Sequence, residues 1–141
     1  MESILKLENR SQLMEYLGAE QRNTVWSWCA INEAEKKVYL SVWTDFKIKV
    51  NGRMAYILQE PDWGVNEAGH FSAARNDHDE KFKKIFLDEY EPYGYFVEVK
   101  DKNAVPREIL YTKTSFIFSL ELELLESGVI IGYPKQRIEI K

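Results

Sequence analysis

Three groups of residues have types and spacings that chemistry could use. The segment "HFSAARNDH" (70–78) carries His70, Asn76 and His78 in the order of an HNH nuclease. Such a nuclease spreads these residues over a hairpin and a helix so that they converge on one cation. Here they fall within nine residues, so the segment predicts a helix start capped by Asn76 or Asp77, with both histidines in water. The second group pairs Asp62 with Glu98 and Lys100 of "EVK", the constellation of a PD-(D/E)xK nuclease. Two carboxylates would hold Mg²⁺ and the lysine would orient the attacking water. Asp62, however, is followed by a Trp-Gly loop rather than a strand, and a long helix separates the two halves. A Mg²⁺ nuclease is the third choice of function. The third group is Cys29 alone, mid-strand with no histidine near it in sequence, which reads as a buried, inert thiol. There is no phosphate-binding loop and no dinucleotide fingerprint. Neither a cofactor nor a metal is expected, and a non-enzymatic protein is the better expectation.

Recognition chemistry is more promising. Aromatic residues make up 13% of the chain, and three of its four tryptophans lie in two adjacent strand-like runs, "NTVWSWCAIN" (23–32) and "VYLSVWTDF" (38–46). Side chains alternate across a strand. Trp26 and Trp28 therefore share a face with Thr24 and Ala30. Val38, Leu40 and Val42 share the core face of the second strand, leaving Tyr39, Ser41 and Trp43 on the other, beside Ser27 or Cys29. Two readings follow. Both faces are covered, one by a helix and one by a long loop, or the outer face is a stacking wall. Aromatic side chains stack on nucleobases for about 1–3 kcal/mol per base and line pockets that hold an extruded base.

The elements that must position these residues read as one domain over 1–141, of the α+β class. The expected form is a twisted, mostly antiparallel sheet or part-open barrel with one main helix (about 77–90) and a short N-terminal helix. In the short helix, Ser11 is a candidate N-cap, Leu13, Met14 and Leu17 form the apolar stripe, and Gly18 ends it. Asn51-Gly52 in "KIKVNGRMAYIL" fits a two-residue hairpin turn, and Pro61 ends the following strand. In "NDHDEKFKKIFLDEYEP" the expected buried stripe is Phe82, Ile85, Phe86 and Leu87. The charged run faces water, with Asp79 or Glu80 pairing Lys83 or Lys84. "SFIFSLELELLESGVIIGYPKQRIEIK" reads as two or three strands with turns at Ser127-Gly128 and near Pro134, although "LELELLE" also fits a helix.

Together, "RNTVWSWCAIN" (22–32), "VYLSVWTDF" (38–46) and "YGYFVEVKDKNAVPREI" (93–109) resemble a module found ahead of the nuclease domain in a group of bacterial HNH restriction-type endonucleases. Asn23, Trp26, Ser27, Trp28 and Ala30 match its first motif. Val38, Leu40, Val42, Trp43 and Asp45 match its second, and Gly94, Tyr95, Val97, Ala104, Pro106, Arg107 and Ile109 its third. The resemblance implies a module that recognises DNA, with or without a modified base, so as to direct restriction. On that reading Trp43 and Tyr39 stack, Asp45, Asn23 and Ser41 hydrogen-bond a base edge, and Arg22, Arg53, Arg75 and Arg107 contact phosphates. Ser41 stands where the pattern has arginine, and no nuclease domain follows residue 141, so a reader without its cutter is expected, with a separate nuclease subunit or other protein as partner.

Charge points the other way. The net charge of −4 is unlike the basic footprint of a non-specific nucleic-acid binder. The alternative is a small acidic protein-interaction module, such as an immunity protein or antitoxin, whose aromatic face is an interface hot spot. One cysteine and no apolar run long enough for a signal peptide or a membrane span give the expectation of a cytoplasmic protein without a membrane partner.

Overall fold

The computed structural model describes residues 9–21, 29–101, 103 and 109–140. Within them the order is α1 (Arg10–Leu17), β1 (Cys29–Asn32), β2 (Lys37–Trp43), a 3₁₀ turn (Thr44–Phe46), β3 (Lys47–Val50), β4 (Arg53–Gln59), α2 (Ala73–Asp88), β5 (Glu91–Val99), β6 (Ile109–Thr112), β7 (Phe116–Leu124) and β8 (Ile130–Glu139). The strands form one sheet in the order β1-β2-β5-β7-β8-β4-β3, with β6 on β5. Only β2 and β5 pair in parallel. The architecture is α+β, with a mostly antiparallel, mixed and unclosed sheet and one main helix.

Local chemistry accounts for several joints. Asn51 and Gly52 both take positive φ (51° and 83°), the combination a type I′ turn requires, so Val50 pairs directly with Arg53. Gly18 closes α1 at φ 67°, its N–H and that of Ala19 reaching back to Glu15 and Met14. Gly94 has a steric reason. It lies between β2 and β7, and a Cβ there would stand 2.6 Å from the Phe118 ring and 2.9 Å from Val42.

The alternation of β2 sorts the core into two layers. Val38, Leu40 and Val42 point inward to meet Leu58, Phe118, Leu120 and Phe82 of α2. The sheet curls so that Tyr56 and Phe96 touch across this layer, their ring centroids 5.2 Å apart. Tyr39 faces the other side, where it joins Ala30, Tyr95 and Ile117 beneath Leu13 and Met14 of α1. Burying each such apolar side chain contributes about 1.5–3 kcal/mol, enough for two residues to hold the eight-residue α1 to the sheet.

Several expectations need correction. The main helix begins at Ala73 rather than near 77, because Ser72 is its cap and accepts from the Arg75 N–H at 3.1 Å. Asn9 rather than Ser11 caps α1, accepting from Gln12 N–H at 2.9 Å. The strand reading of "LELELLE" holds instead of the helical one for 120–124, which continue β7 and pair with β8, while 126 begins the turn. Pro134 sits inside β8 opposite Leu120, where the register shifts. A bulge there spares the amide hydrogen that proline lacks. Across from Tyr39 lies Ala30, not Ser27 or Cys29, because the hairpin register pairs Cys29 with Leu40. The outer face is covered by α1 rather than by the long loop.

Candidate functional site

α2 keeps only half of the expected stripe, burying Phe82 and packing Ile85 against the core. Phe86 and Leu87 are 42% and 75% exposed, while Arg75, Asp77, His78 and Lys81 are buried with Phe82. The inward charges pair as they are buried. Lys81 Nζ donates to Asp77 Oδ1 at 2.7 Å, and the Cys29 thiol donates to Asp77 Oδ2 at 3.7 Å. Burial first, and the Asp77 charge second, push the Cys29 thiol well above its ordinary pKa, which suits an inert thiol rather than a nucleophile. Asp79 accepts from Arg75 Nε (3.0 Å) and from Gln59 Nε2 (2.9 Å). That bond orients the Gln59 amide, so its Oε1 accepts from Nδ1 of His78 at 2.7 Å, and the Nδ1–H tautomer follows from the network. Burial lowers the His78 pKa to about 3, so the ring is neutral. The expectation that both histidines are solvated is thus corrected for His78, which is buried, whereas His70 is exposed. The partners expected for Lys83 and Lys84 are also corrected, since Asp79 pairs with Arg75.

This network is a clamp. Arg75 also donates to the carbonyls of Pro61 and Trp63, both at 2.8 Å, tying the 60–72 loop to the helix. Trp63 in turn packs on Phe46 at 5.0 Å. Among the described residues no group of three or more His, Cys, Asp or Glu could hold a metal ion, and Asp62, Glu98 and Lys100 are all exposed.

An open recess of about 470 Å³ lies instead at the α1 side of the sheet, with Tyr16, Tyr39 and Tyr93 in its wall and Glu35, Lys37 and Glu139 among its polar residues. The parallel β2/β5 register puts Tyr39 opposite Tyr93, and their rings stack at 5.5 Å with planes 27° apart. Lys37 Nζ is 5.4 Å from the centre of the Tyr93 ring and 3.4 Å from Glu35. Glu139 is paired to Arg137, which covers Phe116 at 3.9 Å. Desolvation, with Glu35, Tyr93 and Glu91 adding to it, pushes the Tyr39 pKa up to about 12. Tyr39 therefore stays neutral and its surroundings disfavour more negative charge.

The described residues among those expected to read DNA do not gather at one surface. Tyr39 and Ser41 are buried, at 3% and 7% exposure, so they do not emerge as an outer wall. Trp43 is half-buried against the outer core layer. Asp45 is exposed in the 3₁₀ turn. Arg53 lies over the Tyr133 ring at 4.0 Å and against Glu121 at 3.6 Å, and Arg75 is sequestered under α2. Arg22, Asn23, Trp26, Trp28 and Arg107 lie outside the described residues. Tyr39 alone of the described set lines the recess. Tyr16, Tyr93, Lys37 and Glu35 escaped sequence reasoning because they come from α1, from β5 through its parallel pairing with β2, and from the β1–β2 turn and the start of β2. The alternation of Tyr93 and Tyr95 in β5 was the one available sign.

The chain matches no protein-family model, no curated protein and no solved structure. The class defined by the fold is therefore an α+β chain with an open tyrosine recess. Among the described residues no helix is long and apolar enough to cross a membrane.

Proposed function

We propose that the chain is a non-enzymatic binding module that engages a protein partner through the tyrosine recess, as a small acidic immunity protein or antitoxin would. The observation that carries this reading is the company the tyrosines keep: Tyr16, Tyr39 and Tyr93 share the recess with Glu35 and Glu139, in a chain of net charge −4. Nucleic-acid phosphates approaching it would meet carboxylates. A basic protein surface would meet aromatic anchors, the residues that dominate interface energetics, and complementary charge, which speeds encounter and selects partners.

The DNA-reading alternative, with a separate nuclease acting beside it, is supported by the resemblance of the aromatic strands and by the stacked pair Tyr39 and Tyr93. Two measurements separate the readings. The first titrates the labelled chain with oligonucleotide duplexes, with and without cytosine modification, at two salt concentrations. The second captures protein on the immobilised chain and on its Tyr16→Ala variant, then measures affinity with the purified captured protein. The expected result is no oligonucleotide binding, and a partner that Tyr16→Ala weakens about tenfold or more, the size of a hot-spot loss. Salt-dependent oligonucleotide binding that shifts the recess tyrosines would replace the protein reading with the DNA one.

A further inference from the structure

The chain has a recurrent way of holding its own arginines. Arg53 lies over Tyr133 at 4.0 Å with Glu121 at 3.6 Å. Arg75 lies over Phe71 at 4.7 Å with Asp79 at 3.0 Å. Arg137 lies over Phe116 at 3.9 Å with Glu139 beside it. Each guanidinium thus has an aromatic ring on one side and a carboxylate at its edge, the geometry its flat fork favours. Lysines keep farther from their rings: Lys37, Lys84 and Lys113 stand 5.3–5.9 Å from the ring centres.

The recess has the ring and the carboxylate of this arrangement but only a distant lysine. Tyr93, backed by Tyr39, lies within reach of Lys37, and Glu35 is 57% exposed at its side chain while engaging that lysine at 3.4 Å. The space is open, about 470 Å³, within the range of pockets that accept a ligand group. On the reading of the recess as a protein-binding site, on which this inference rests, we infer that the group it receives is an arginine side chain of a basic partner, its guanidinium against the tyrosine wall and hydrogen-bonded to Glu35, with Lys37 displaced toward solvent. Burial is the main cause of the raised Tyr39 pKa, and the Glu35 and Glu91 charges add to it, in the sense that suits a cation. Lysine would fit less well, because an ammonium is a compact, strongly hydrated point charge and Lys37 already supplies one.

The test follows the recess tyrosine resonances of the full chain during titration with four blocked probes: Gly-Arg-Gly, Gly-Lys-Gly, Gly-Phe-Gly and deoxycytidine monophosphate. The arginine probe is expected to shift Tyr16 and Tyr93 saturably, about threefold or more tighter than the lysine probe, as the planar fork predicts. Glu35→Gln, an exposed turn residue whose change leaves the fold intact, is expected to weaken it about threefold or more, with Tyr16→Ala as a second variant acting on the wall alone. Equal binding of arginine and lysine, or no arginine shift, overturns the inference. If the phenylalanine probe alone shifts the tyrosines, the guanidinium assignment fails while the protein-binding reading stands. If only the nucleotide does so, both fail.

Discussion

The two helices solve opposite problems, and the contrast separates structure from function in this protein. α1 buries Leu13 and Met14 in hydrocarbon and leaves Tyr16 43% exposed beside a recess whose charges meet water. α2 buries an ion pair, a neutral histidine and an arginine, and leaves Leu87 in solvent. Charge under α2 is consumed internally, by Asp77 on Lys81 and Asp79 on Arg75, and the neutral His78 is held by Gln59. Charge at the recess is partly exposed and loosely held, as with Glu35 and Lys37. Perturbed titratable groups can mark active sites. Here the lowered His78 and the raised Cys29 are enclosed in the clamp, and the raised Tyr39 stands in the recess wall.

The sharpest way to break this contrast is to strand a charge under α2. Asp77→Ala leaves Lys81 buried without its carboxylate, and a loss of about 3–5 kcal/mol is expected by chemical denaturation. The double change Asp77→Leu with Lys81→Met removes both charges and is expected to recover most of that loss. Recovery of nothing would mean that the pair does more than satisfy itself.

Acid attacks the same clamp next. The folded pKa of His78 is lowered to about 3, below its unfolded value near 6.5. The unfolded chain therefore binds the extra proton first, and this contribution to stability is present above about pH 6.5 and lost as pH falls toward 3. Between neutrality and pH 4 the loss amounts to about 3 kcal/mol. Arg75, Asp77, Asp79 and Lys81 all act on this ring, so the difference between wild type and His78→Gln isolates the effect. Parallel profiles for the two would remove His78 as the sensor.

Between the two regions lies Gly94. Gly94→Ala is expected to cost about 1–3 kcal/mol by overpacking, since the Phe118 ring and Val42 stand in the way of a Cβ. A denaturation midpoint unchanged from wild type would show that β5 can shift. The smallest effects belong to the open side and the outward face of α2. Tyr16→Ala and Leu87→Lys are each expected to change stability by no more than about 0.5 kcal/mol. Of the two, only Tyr16→Ala should alter partner binding.

Much of the fold was legible because local backbone preferences carry it. Asn51-Gly52 makes its turn, Gly18 ends α1, and the sheet with one main helix follows from strand alternation and helical spacing. The α2 stripe held at Phe82 and Ile85 and misled at Phe86 and Leu87, which are exposed while charged residues of the same helix are buried, because hydrophobicity alone assigns such charges to water. Nothing in the sequence pattern states that Asp77 and Lys81, one helical turn apart, satisfy each other well enough to be buried. The candidate site was legible only through Tyr39. Of its expected partners, Trp43 packs against the same outer layer, whereas Arg53 and Arg75 went elsewhere, and Tyr93 joined it through a parallel register with more than fifty residues between the strands' partners.

By itself, the sequence determined which side chains share each face of β2, where the tight turn and the end of α1 fall, and that the chain is acidic. These depend on torsional preferences and composition, which are properties of neighbouring residues. Tertiary structure alone decided which of those faces meets water, which charges are buried together, and which tyrosines stack. Each of these depends on groups far apart in the chain being brought within a few ångströms, where desolvation and pairing are settled jointly.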